Sequence, residues 1–374
     1  MKGFTERNRI DVDPCAKGHS VWKWAGAAAI VILAYVLIQN YLYLRNGILK
    51  PDFSLIHQAY NFNLWTLPMI LFGITMLVAT LAFIWNAERR RLVWIGLLYG
   101  FAALDLLALR YYVTSIEPQR LVVHHVRLET PKLSQAIRVL HISDIQAGAI
   151  TEYEVDLFKQ IKALNPDLIL NTGDLLQVVP PATFESEFPQ LLALIKAVSP
   201  RLGTYAVFGD TERELYHLST KQLRPLQMLS SRSVRIDTGT GIIHLHGLSL
   251  YQSRNKNWAM RTVDPWLASA EANDFTILFG HAPDYALQMV DQPIDLCLAG
   301  HTHGGQVRLP WYGALVIDSK VPKDWSKGFR RIGIPYLNVS AGAGSNRFEG
   351  LPPIRFNCPT EMTLIELVPV RSML

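Results

Sequence analysis

Apolar residues are distributed along this chain in two ways. Near the N-terminus they form three long runs with almost no charge, at residues 25–44, 64–85 and 92–109. The first two are long enough to cross a bilayer; the third is shorter and carries Asp105. From residue 119 onward the apolar runs become short and alternate with amphipathic stretches. "IRVLHISD", "DLILNTGD", "GTYAVFGD", "DFTILFGH" and "IDLCLAGHTH" read as buried strands, whereas "EYEVDLFKQIKAL" and "FESEFPQLLALIKAV" have helical spacing. The pattern predicts a membrane region over 1–118 with about three transmembrane helices, then an α/β domain over 119–374.

Composition agrees with that division: hydrophobic residues make up 49% of the 374. Basic residues precede the first run, as in a signal peptide, but no small-residue cleavage site follows it, and "NYLYLRN" is a poor exit for a leader. We read an uncleaved span. Lys2, Arg7, Arg9, Lys17 and Lys23 precede it, and Arg89, Arg90 and Arg91 fill the loop between the second and third runs. The other side has fewer cations: Arg45 and Lys50, then Arg110 and Arg120. This bias puts the N-terminus in the cytoplasm and, with three spans, the large domain on the external face of the membrane. A third run that re-enters instead would leave the domain cytoplasmic.

The net charge of +5 is largely juxtamembrane, which suits anionic lipid headgroups; no nucleic-acid partner is expected. Cys15, Cys297 and Cys358 lack the spacing of a zinc knuckle or disulfide framework, and Cys297 reads as core. Asp105 admits two readings, an intramembrane functional site or a residue at a helix end or against a neighbouring helix; the second is favoured.

The chemistry concentrates where the strands stop. Five apolar strands finish on Asp144, Asp174, Asp210, His281 and the pair His301 and His303, and four of these ends have glycine just before the acid or imidazole. A single strand-end aspartate is usually a turn or helix cap. Six such groups are poorly explained as independent caps. Open sheets place ligands at strand ends, glycine lets the backbone approach them closely, and mixed carboxylate and imidazole donors suit Mn, Fe or Zn.

Taken together, "ISDIQ", "NTGD", "FGDTE", "FGHAP" and "AGHTHGGQ" resemble the five sequence blocks of the calcineurin-like metallophosphoesterase superfamily. "GHTHGGQ" and the closing "PPIRFNCPTEMTLIEL" resemble its membrane-associated bacterial branch. The resemblance covers about residues 135–366. It implies a four-layer α-β-β-α sandwich with a centre of two divalent metal ions, and hydrolysis of a phosphate ester or anhydride by metal-activated hydroxide. By position, Asp174 would bridge the ions, Asp144 and His303 would serve the first, and His281 and His301 the second. Apart from the resemblance, Arg347 in the Gly-rich "AGAGSNRFEG" is a candidate phosphate contact, with a surface arginine in a loop as the competing and favoured reading.

Two positions depart from the family pattern. Gln146 stands where the first block has histidine, offering the first metal a weaker carbonyl oxygen. Asp210 and Thr211 replace the Asn-His of the third block. Asp210 can still serve as an oxygen ligand at the catalytic centre, but Thr211 cannot replace the imidazole that assists the leaving group. Two divalent ions, two aspartates and a hydroxide leave a net charge of about +1, and a third carboxylate brings it to about zero. Glu212 and His217 are candidates to take over from that imidazole, but the favoured reading makes both residues of an exposed helix. With a membrane anchor, the expected partners are the bilayer and a phosphorylated small molecule, lipid or lipid precursor. A degenerate family member that binds without turnover, and a transport or scaffold protein working through its spans, are the competing readings.

Overall fold

The computed structural model describes residues 14–49, 52–347 and 352–370. Lys2, Arg7, Arg9 and Lys50, counted above toward orientation, lie outside them. The chain divides into two compact units, one made of residues 1–46 and 58–110, the other of 47–57 and 111–374.

The first unit is helical. Among the described residues three helices are long and apolar enough to cross a membrane, Lys23–Asn46, Ser54–Ile84 and Arg89–Gln119. The third continues well past its apolar run at both ends, because arginine is a good helix former and does not stop a helix where hydropathy falls. Asn40 and Asn63 interrupt the apolar surfaces of two helices and satisfy each other, their amides exchanging hydrogen bonds of 2.9 and 2.8 Å. Gly96 and Gly100 let the third helix lie close to Thr75 and Val78. Asp105 is exposed on that helix.

Among the described residues the second unit has fourteen strands: Val122–Thr130 (β1), Ile137–Ile142 (β2), Leu168–Asn171 (β3), Thr204–Ala206 (β4), Leu226–Met228 (β5), Arg232–Asp237 (β6) and Ile242–Gly247 (β7), then Phe275–Phe279 (β8), Leu296–Ala299 (β9), Arg308–Leu309 (β10), Gly313–Ala314 (β11), Gly328–Arg331 (β12), Tyr336–Val339 (β13) and Glu361–Pro369 (β14). One six-stranded sheet has the order β1-β14-β2-β3-β4-β5, the other β12-β13-β9-β8-β7-β6, and β10 and β11 form a small hairpin. β3, β8 and β9 are buried along their whole length, which explains why they read as unbroken apolar runs.

Three cores stack these elements. Leu168, Leu170, Ile277 and Leu298 meet between the two sheets. Leu157, Ile161, Leu191 and Ile195, from helices Glu152–Ala163 and Phe184–Val198, cover the outer face of the first sheet. Val263 and Trp266, from helix Lys256–Ala268, cover the second. The expected four-layer α-β-β-α sandwich is therefore present. Thr151 and Thr183 start the first two helices with capping boxes, holding their N-termini beside the loops that leave β2 and β3.

Between the sheets His141 of β2 lies 2.7 Å from Asn338 Nδ2 and 3.0 Å from Thr172 Oγ1. Burial pushes its pKa down to about 3, so it is a neutral link between layers. The short segment between the first two apolar helices also belongs to this unit. Phe53, Leu55, Ile56 and His57 are all buried.

Candidate metal centre

The predicted metal-site residues lie two to four positions beyond the ends of β2, β3, β4, β8 and β9, on loops that converge. Two groups form there, Asp144 with Asp174 and His303, and Asp210 with His281 and His301; within each group the potential ligand atoms lie within 4.8 Å of one another. His303 Nε2 is 3.5 Å from Asp144 Oδ1. His301 Nδ1 is 3.2 Å from His281 Nε2 and 3.6 Å from Asp210 Oδ2. Asp174 faces both groups, since its Oδ2 is 3.4 Å from His281 Nε2.

The backbone is bent to make this possible. Asp144, Gln146, Asp174, His301 and His303 have φ of 50°, 41°, 56°, 68° and 49°, the left-handed region that L-residues rarely occupy. Each such residue costs on the order of 1–3 kcal/mol, held by its surroundings, and clustering of this kind marks functional sites. Glycine is required where two loops touch. A Cβ at Gly209 would strike the Asp174 carboxylate, and one at Gly300 would strike Ser143 and Asp144. The glycines that precede Asp210 and His301 therefore make room for the aspartates of other strands.

Hydrogen bonds orient the donors. His281 Nδ1 donates to the Thr172 carbonyl at 2.8 Å, leaving Nε2 to face Asp174. The backbone N–H groups of Asp210 and Thr211 donate to Asp174 Oδ1 at 2.7 and 3.1 Å, and Ser143 Oγ donates to Asp144 Oδ2. Gln146 Nε2 donates to Asp174 Oδ2 at 2.8 Å, while its Oε1 is buried without a hydrogen-bond partner, as is His303 Nδ1. Phe53 meets the His303 ring edge-on, with centroids 5.7 Å apart.

The electrostatics fit a cation. Burial and the neighbouring Asp174 raise Asp144 to about 6. Burial disfavours a charge on His281, but Asp174, Asp144 and Asp210 outweigh it and raise its pKa. Burial, followed by Arg355, pushes His303 well down and leaves it a neutral donor. Imidazole nitrogens, clustered carboxylates and the unpartnered Gln146 oxygen together make a donor set suited to divalent ions of the Mn, Fe and Zn type.

Several contributors were not visible in the sequence. Glu212, read as exposed, is buried: its Oε1 accepts from Leu175 N at 3.2 Å and its Oε2 from Thr211 Oγ1 at 2.7 Å. Burial and the charge of Asp174 raise its pKa to about 8. His217 is exposed, as expected. Arg355 is fully buried; its Nη2 donates to the Ala341 carbonyl at 2.6 Å and also to Gly344, which fixes the loop behind Asp144. Arg254 and Asp318 flank His301, with Arg254 Nη2 2.7 Å from its Nε2 and 2.8 Å from Asp318 Oδ2.

Arg347 is half-buried at the edge of the site, its backbone N–H bonded to Gln177 Oε1 at 2.7 Å and its Nε without a hydrogen-bond partner. It lines a cavity of about 840 Å³ that also takes in Gln146, Tyr153, Arg120 and Leu121.

The fold and the paired donor groups define a metal-dependent hydrolase of phosphate esters, and comparison with known proteins gives the family. The calcineurin-like phosphoesterase model matches residues 137–305. The phosphodiesterase YaeI of Escherichia coli is 32% identical over 212 residues, 54% of this chain and 71% of that protein. The metallophosphoesterase YkuE of Bacillus subtilis is 27% identical over 235 residues, covering 62% and 78%. The UDP-2,3-diacylglucosamine pyrophosphatase LpxG of Chlamydia trachomatis is 24% identical over 249 residues, covering 54% and 74%. This chain belongs to the calcineurin-like phosphoesterases.

Proposed function

We propose that the chain is a membrane-anchored phosphoesterase that binds one divalent ion in each donor group and cleaves a phosphate ester or anhydride of a lipid-linked substrate. The observation that carries this reading is the pair of three-residue donor groups with Asp174 facing both. Asp144, His303 and the Gln146 oxygen would hold one ion and Asp210, His281 and His301 the other, with Asp174 shared. When bound, the ions supply the Lewis acidity that activates water and draws charge from the phosphoryl oxygens. The chain itself supplies the positioning. Thr172 and the amides of Asp210 and Thr211 hold the donors in place, and Asp210, partly open to solvent, stands where a substrate can approach.

Two observations support a substrate from the bilayer. The cavity carrying Arg347 runs from Gln146 to Arg120 and Leu121, directly after the third apolar helix, so a phosphate at the donor groups could extend its remainder toward that end. The name of one relative gives it a diacylated, UDP-linked sugar. Membership of the catalytic unit by residues 47–57 supports a side as well. This segment and residues 111–374 flank the helices at 54–84 and 89–119, and they share a compartment only if both helices cross or neither does. With Lys23 and Arg89–Arg91 on the cytoplasmic side, the catalytic unit is external.

The full chain in lipid vesicles should hydrolyse a nucleoside-diphosphate-linked lipid with a kcat/KM about ten-fold or more above that for bis(p-nitrophenyl) phosphate, because binding of the lipid part contributes only to the former. Both activities should vanish on chelation and return with Mn or Zn. Equal kcat/KM values would overturn the lipid-linked reading, and activity that survives chelation would overturn the metal reading.

A further inference from the structure

Arg254 lies in the polar stretch "YQSRNKNW", just past the short helix Leu250–Ser253, and nothing in its sequence context points to a site. In the fold it is at the rim of the second donor group. Its Nη2 is 2.7 Å from His301 Nε2, 2.8 Å from Asp318 Oδ2 and 3.6 Å from Asp210 Oδ2. Its side chain is 42% exposed, so the guanidinium faces both the donor group and solvent. Both close contacts are made by Nη2, and Nη1 and Nε have no hydrogen-bond partner among the described residues.

An exposed ion pair of this kind adds little to folding stability, about 0–1 kcal/mol, which gives the fold small reason to place a cation here. The chemistry of the site gives a larger one. Asp210 is the third carboxylate that brings the net charge of the loaded centre to about zero, and Arg254 is the cation nearest to it in that group. Asp318 is itself 46% exposed, where water screens its charge, and its contact with Nη2 holds the guanidinium in place. The side chain at position 211 is a threonine whose hydroxyl is bonded to Glu212, so it offers no cation to a phosphoryl group. Nη1 and Nε keep N–H groups that can each donate a charge-assisted hydrogen bond to a phosphate oxygen.

We propose that Arg254 binds the phosphoryl oxygens of the substrate at the second donor group, offsetting the charge of Asp210 and supplying the cationic donor that Thr211 lacks. Asp318 is its positioning residue. The inference rests on the two-ion reading of the centre.

The test uses the full chain in detergent, loaded with Mn, and inorganic phosphate as the probe. Metal content is read by elemental analysis and phosphate affinity by calorimetry, neither of which needs turnover. R254A should keep the wild-type metal content and lose about ten- to hundred-fold in phosphate affinity, the worth of hydrogen bonds to a charged group. R254K should recover part of the loss, as a point charge without the planar set of donors. Unchanged phosphate affinity in R254A, or a fall matched by loss of metal, would overturn the role of Arg254. A wild-type protein that takes up no metal would overturn the two-ion reading and this inference with it.

Discussion

The two donor groups differ in how they are enclosed. Asp144, Asp174 and His303 are almost fully buried, whereas the Asp210 side chain is 33% exposed and its group is rimmed by Arg254 and Asp318. The first group is sealed by the Phe53 ring against His303 and by the loop that Arg355 fixes behind Asp144. A buried group is suited to retaining an ion, and a more open one leaves a face to solvent. On the two-ion reading proposed above, the contrast would put tighter retention on the Asp144 side and easier exchange with solvent on the Asp210 side.

The shared residue gives the largest expected effect. Asp174→Asn should remove metal from both groups and lower hydrolysis by more than about 100-fold, beyond the usual cost of losing an outer partner of a metal ligand. Elemental analysis checks it, and loss from one group alone would show that Asp174 is not shared. Gln146→His should sharpen the contrast by replacing the lone amide oxygen with imidazole. The first group should then hold Zn about ten-fold tighter in competition with a chelator. No change would place residue 146 outside the coordination of the ion.

The smallest effect concerns the support behind the first group. Glu361 is buried, which alone would raise its pKa, but His124, Lys327 and the Ala341 N–H outweigh burial and bring it down to about 2. Its unfolded value is near 4.5. A lowered folded pKa adds stability that is complete above pH 4.5 and is lost as the pH falls toward 2. The linkage is worth at most about 3 kcal/mol at neutral pH. Glu361→Gln should lower the stability of the metal-free protein by up to that amount at pH 7, with the gap closing in acid, read by denaturant unfolding. A gap that does not narrow between pH 5 and about pH 3 would contradict the ionised anchor.

The sequence made the donors legible because each followed an apolar strand, four of them with glycine in between. The four-layer sandwich followed from the family resemblance, and the three cores account for it. What the sequence hid has a common cause: those residues come from stretches without periodicity. Arg254 reads as part of a solvated polar run and Arg355 as one more arginine near the C-terminus, yet one borders the second group and the other is fully buried. Phe53 lies between two apolar helices and looks like a loop. Glu212 misled by its polarity, since only the tight turn at Gly209 brings it under Asp174 and Leu175. Left-handed backbone at Asp144, Asp174, His301 and His303 leaves no mark on residue type at all.

The position of β14 bears on how the protein is made. This strand, residues 361–369, is inserted between β1 and β2, parallel to one and antiparallel to the other. While the ribosome is still translating, the helices and most of both sheets have already emerged, but β1 and β2 have their facing edges unpaired. Such edges attract other strands, and the loop that finally joins β1 to β14 encloses nearly the whole domain, so its closure is late and slow. A chain interrupted shortly before residue 361 would carry every residue of both donor groups and still expose two unpaired edges. Pairing of residues 361–369 with both neighbours, rather than assembly of the donor groups, is thus the step that closes this sheet.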